Sequence, residues 1–130
     1  MTPREADFHI ATHWFKKALD AEASARLEFE AGHLGFAVNR LYYAVFYCVS
    51  AALAAENSKY GRHSAVRAAF NRDFVNSGKA TTEQGRLYNR LFDDRQEADY
   101  TPLREFARDD VAARLEQVKS FLEHFRQFVK

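Results

Sequence analysis

One cysteine, two prolines and five glycines are all that 130 residues hold of the types that cross-link or punctuate a chain. A lone thiol closes no internal disulfide, so Cys48, set in an apolar stretch, reads as a small packed hydrophobe, and a reducing cytoplasm suits the chain. An excess of charge is missing too. The 19 basic and 18 acidic residues leave +1, too little to hold nucleic acid by a long-range field, so any such contact has to be local. There is no glycine-rich phosphate loop, no CxxC, no GxSxG and no HExxH, which removes the common nucleotide, redox, hydrolase and zinc-protease patterns. Repeats, low-complexity tracts and two-residue alternation are absent as well, which argues against strands. Glu5 and Asp7 stand where a basic leader would begin, and Asn39 and Arg40 interrupt the most apolar run, so the sequence predicts neither export nor a membrane span.

What is abundant is helix-forming and apolar. Hydrophobic residues make up 47%, with 12 Phe and 6 Tyr. Burying one Phe contributes about 1.5–3 kcal/mol, so an aromatic core can offset much of the chain entropy without metal or disulfide. The stretch from Phe36 to Leu53 is apolar on nearly every side and reads as the central helix, enclosed by the others. Its less apolar stripe, Arg40, Tyr43, Tyr47 and Ser50, runs at three- and four-residue steps and so shares a face. An enclosed Arg40 needs a carboxylate or phosphate, since an orphaned buried charge costs roughly 3–5 kcal/mol.

Around that helix the chain divides readily. Thr2-Pro3-Arg4-Glu5 predicts a capping box and a first helix that Gly32 closes, forming a hairpin with the central helix. Residues 57–62 form the longest loop, and a helix near Ser64 to Asn76 follows, with His63 at its mouth. Ser77-Gly78 ends that helix, and a Thr81/Gln84 box opens a fourth, which stops near Asp99 or Tyr100 because Pro102 disfavours helix at Thr101. A last helix starts between Pro102 and Asp109 and runs to the C-terminus. The expected fold is all-α, a five-helix up-and-down bundle forming one domain over residues 1–130.

Few residues offer chemistry. His9 and His13 have the spacing to share a metal but no third ligand nearby, so no metal or other cofactor is expected. The aromatic residues Tyr42 to Tyr47 read first as core, with Tyr43 and Tyr47 placed to join a polar network. Arg95 and Asp99 continue the stripe of Tyr88 and Phe92 and should turn inward. Two readings stay open: a structural ion pair between Arg40 and Asp99, or a functional anion site, with His63 able to join either.

The blocks Asn39-Arg40-Leu41-Tyr42-Tyr43-Ala44-Val45-Phe46, Arg62-His63-Ser64-Ala65-Val66 with Phe70 and Phe74-Val75, and Arg95-Gln96-Glu97-Ala98-Asp99-Tyr100 together resemble the HEPN family over roughly residues 8–128. The resemblance implies a four- or five-helix bundle, commonly a homodimer, often beside a nucleotidyltransferase-fold partner in toxin or defence systems. Many members are metal-independent ribonucleases whose Arg is followed, after four to six residues, by a His. Here the Arg is Arg95 and the His is missing: the corresponding places hold Tyr100, Thr101 and Pro102. Tyrosine, with a pKa near 10, is a weak base at neutrality, and Asp99 is an imperfect substitute. His63 could instead fold in from the start of the third helix.

Three functions follow as expectations. The first is binding of a nucleotide or RNA phosphate by Arg40, Tyr43, His63, Arg95, Asp99 and Tyr100, within a toxin–antitoxin or defence module. The second is a non-catalytic adaptor for a nucleotidyltransferase, those residues forming a structural network. The third is RNA cleavage with Arg95, Asp99, Tyr100 and His63 as the catalytic candidates.

Overall fold

A computed structural model describes residues 1–129. Five helices, α1 (Pro3–Glu30), α2 (Leu34–Ala55), α3 (His63–Phe70), α4 (Thr82–Tyr100) and α5 (Arg108–Phe125), form an all-α bundle, with no strand among the described residues. The boundaries have local causes. Thr2 Oγ1 accepts the Glu5 amide at 3.1 Å, with Pro3 in the first turn of α1; the expected reciprocal contact from the Glu5 side chain is not formed. Gly32, at φ +83°, turns the chain into α2.

The α1–α2 hairpin is the most extensive pairing in the bundle, and small residues make it close. Ala11, Ala18, Ala21 and Ala25 of α1 are buried, as are Ala37, Ala44 and Ala51 at seven-residue steps on α2. Thirteen residues of α2 are buried, which makes it the central helix. It is also the one described helix long and apolar enough to cross a bilayer, yet 67% of that stretch lies inside the bundle. Its exposed exceptions are Phe36, at 67%, and Arg40.

At the far end of the bundle, Phe70, Phe74, Phe121 and Phe125 are fully buried, with Phe121 and Phe125 stacked at a centroid distance of 4.5 Å. The third helix is shorter than its sequence predicts. After Phe70 it widens into a π-helical turn, Asn71–Val75, in which the Asn76 amide reaches back five residues to the Asn71 carbonyl at 2.9 Å. Asn71 Nδ2 meanwhile donates to the Arg67 carbonyl at 3.1 Å, a side-chain bond that competes with regular helix. Gly78, also at φ +83°, ends the segment.

The capping box at α4 is complete. Thr81 Oγ1 accepts from the Gln84 amide at 3.0 Å, and Gln84 Oε1 accepts from the Thr81 amide at 2.8 Å. Thr101, before Pro102, is extended (φ −116°, ψ 98°), which stops α4 one residue beyond Asp99 at Tyr100. Thr81→Ala removes one half of this box, and urea denaturation should show a loss of about 1 kcal/mol with an unchanged m-value.

Candidate functional site

Tyr42, fully buried on α2, is the point on which three helices converge. Its neighbours follow from helical spacing and loop length. Asn39, Tyr43 and Phe46 lie three, one and four residues away on α2. The loop after Ala55 returns the chain so that His63, the first residue of α3, lies against this face. His63 stacks on Phe46 at 4.1 Å between centroids and on Tyr42 at 5.8 Å. Its Nδ1 lies 2.9 Å from the Tyr42 hydroxyl, and the two share a hydrogen bond.

From α4, Arg95 lays its guanidinium over the same ring, with Cζ 4.8 Å from the Tyr42 centroid and 5.8 Å from that of Tyr43. Such contacts favour the cation by about 0.5–2 kcal/mol, more as water is excluded. The Arg95 side chain is only 13% exposed. It is also poorly satisfied. Nη1 stands 3.7 Å from Asp99 Oδ2, an ion pair too long for a hydrogen bond, and the buried Nε–H finds no acceptor. Asp99 is occupied instead by Asn39, whose Nδ2 donates to both carboxylate oxygens at 3.1 and 3.3 Å.

Burial raises the Tyr42 phenol to about 12 despite the neighbouring Arg95, so it keeps its proton throughout the neutral range. Burial, then the Arg95 charge, pushes His63 below the ordinary imidazole value. His63 is therefore neutral at pH 7 and carries one N–H and one lone pair. If Tyr42 donates to Nδ1, Nε2 keeps its hydrogen and is a donor; if Nδ1–H donates to Tyr42, Nε2 is an acceptor.

The six expected site residues are thus divided. His63, Arg95, Asp99 and Tyr43 share the Tyr42 cluster. Arg40 does not: it is exposed, makes no ion pair among the described residues, and lines a shallow groove with Lys17, Asp20 and Tyr47, in which Tyr43 is the residue common to the cluster. The expected Arg40–Asp99 pair is replaced by Asn39–Asp99, because successive helical residues point about 100° apart and it is Asn39 that faces α4. Tyr100, on the last turn of α4, is 77% exposed. Sequence reasoning passed over Asn39 and treated Tyr42 as core alone; their shared three-residue step was the available signal. It also missed Arg67, whose guanidinium sits 3.9 Å above Phe92, itself edge-on to Tyr42. His9 and His13 meet edge-to-face at 4.8 Å, and no group of three metal-ligating side chains converges among the described residues.

The sequence model described as HEPN domain matches residues 11–128. A protein of Thermotoga maritima named UPF0332 protein is 39% identical over 121 residues, spanning 93% of this chain and 92% of that protein. Two Methanocaldococcus jannaschii proteins, both named as candidate toxins, are also similar. One is 30% identical over 83% of this chain and 73% of its own length. The other is 34% identical over 61% and 59% respectively.

The depressed His63 has a definite pH signature. Its folded pKa lies below the unfolded value of about 6.5, so the unfolded chain binds the proton more readily, and stability falls as pH drops below that value. NMR titration of the His63 ring should give a midpoint below 6.5, and Arg95→Gln should raise it. In His63→Gln the difference in stability between pH 7 and pH 5 should shrink; an unchanged difference would contradict the assignment.

Proposed function

The chain belongs to the HEPN domain family, and from that premise we propose that it binds the phosphate of a nucleotide or an RNA strand at the Arg95 cluster. The observation that carries this reading is the guanidinium itself. It is largely buried on an aromatic ring, yet its Nε–H lacks an acceptor and its carboxylate neighbour lies beyond hydrogen-bonding distance. An unmet buried donor of this kind costs about 1–3 kcal/mol. Phosphate oxygens would relieve it in the fork geometry that suits arginine. A neutral His63 adds a second donor through Nε2 when Tyr42 holds Nδ1. Asn39 keeps Asp99 turned aside, which lessens its competition for the same guanidinium.

The candidate-toxin names of two relatives support a toxin-like role. In the fuller reading the protein works in the cytoplasm as a homodimer, inside a toxin–antitoxin or defence module with a nucleotidyltransferase-fold partner. No cofactor is required, because the binding groups are side chains of the chain itself.

The position of His63 favours a second reading, RNA cleavage. With Nδ1–H donated to Tyr42, the Nε2 lone pair can take the proton of a ribose 2′-hydroxyl. The 2′-oxygen then bonds to phosphorus, the bond to the 5′-oxygen breaks, and water supplies that oxygen's proton. Arg95 would stabilise the charge on the phosphorane. His63 would thus fill the role left open by Tyr100.

Fluorescence anisotropy with a short labelled single-stranded RNA, at fixed salt, tests binding. Arg95→Ala should weaken it roughly ten- to a hundredfold, matching a charge-assisted bond of about 1.5–3 kcal/mol, while Arg40→Ala should change it little. Equal loss in both variants, or no binding by the parent protein, refutes the assignment. Degradation of total RNA that both Arg95→Ala and His63→Ala abolish would establish the second reading.

A further inference from the structure

His63 has a second environment. It also lines a groove of about 640 Å³ between α1, α2, the loop before α3 and the first turn of α3. That volume lies within the range of about 300–1,000 Å³ typical of small-molecule sites. Ile10, Trp14, Phe46 and Leu53 make the wall apolar, and Tyr60 closes the loop side. The loop is held in place. The Ser58 amide bonds to the Leu53 carbonyl at 2.9 Å, Asn57 takes a left-handed conformation at φ 59°, and Arg72 donates to the Tyr60 hydroxyl at 2.9 Å.

The charge on this wall is one-sided. No carboxylate lines the groove; its ionisable members are Lys59, Tyr60 and His63. Aromatic side chains from Trp14, Tyr60 and the stacked Phe46–His63 pair, hydroxyls from Ser50 and Ser58, and a single lysine suit a flat heteroaromatic ring attached to an anion. An apolar peptide would make no use of Lys59. His63 belongs to both the groove and the Arg95 cluster, so the two adjoin at that ring.

We propose that this groove is a nucleobase subsite, which holds the base next to the phosphate that Arg95 engages. The inference rests on the phosphate-binding reading and narrows its ligand from any nucleotide or RNA phosphate to one carrying an unpaired, stackable base. Single-stranded RNA or a free nucleotide qualifies. A duplex, whose bases are stacked and paired, does not.

Trp14 is the protein's one tryptophan, so its emission reports on the groove without a label. Tri-adenylate RNA should quench it saturably, whereas the abasic tri(ribose phosphate) should bind at least fivefold more weakly and leave the emission unchanged. Ser50→Phe, which fills the groove without touching Arg95, should abolish the advantage of the base and preserve abasic affinity. Tyr60→Ala, on the half-exposed loop, should reduce the same advantage if Ser50→Phe folds poorly. Equal affinity for the two oligomers with silent Trp14 emission overturns the subsite while leaving the phosphate site standing. No binding of either oligomer overturns both. Quenching by an apolar peptide without any response to tri-adenylate also overturns the subsite.

Discussion

The burial of one tyrosine ring constrains everything around the polar cluster. Tyr42 has no exposed surface, so its hydroxyl has to find a partner inside the protein, and His63 is that partner. Its ring then presents faces and edges to whatever packs against it: His63 and Phe46 lie near-parallel, Phe92 meets it edge-on, and the Arg95 guanidinium sits over it. The neighbouring elements cannot move independently of that ring. The start of α3 is tied to α2 through the hydroxyl, and the end of α4 through the cation.

This arrangement lets a nearly neutral chain keep a positive charge inside its polar cluster. That charge is the Arg95 guanidinium, whose low exposure makes its electrostatic interactions stronger than in water. Asp99 belongs to the same centre: it pairs with Arg95 at 3.7 Å, while its hydrogen bonds, at 3.1 and 3.3 Å, come from Asn39. His63 joins the polar cluster to the apolar groove. Its depressed basicity keeps it uncharged, so it can sit on Phe46 at little desolvation cost and still present a ring nitrogen to a ligand.

Most of the fold was legible because local chemistry determines it. Thr2, the Thr81/Gln84 pair, Gly32, Gly78 and Pro102 mark ends that the structure places within a residue or two of expectation. The π-helical turn after Phe70 was not legible, since no residue type demands it and its stabilising bond depends on where Asn71 happens to point. The site was legible in part. Arg95 and Asp99 could be turned inward from the stripe of Tyr88 and Phe92, because α4 is amphipathic. The partner of Asp99 could not be chosen, because α2 is apolar on nearly all sides and its pattern gives no preferred rotation. Asn39 and Arg40 are adjacent in sequence, and only the packing of α2 against α4, sixty residues away, decides between them.

The Arg95 Nε–H is a buried donor with no acceptor, and the proposed phosphate would complete it. A proton–nitrogen correlation spectrum of arginine-labelled protein observes that group directly. On adding a single-stranded oligonucleotide, the Arg95 Nε–H signal, identified by its loss in Arg95→Lys, should move downfield and become protected from solvent exchange. An Arg95 signal that stays fixed while the exposed Arg40 and other surface arginines respond would rule out a phosphate at that nitrogen.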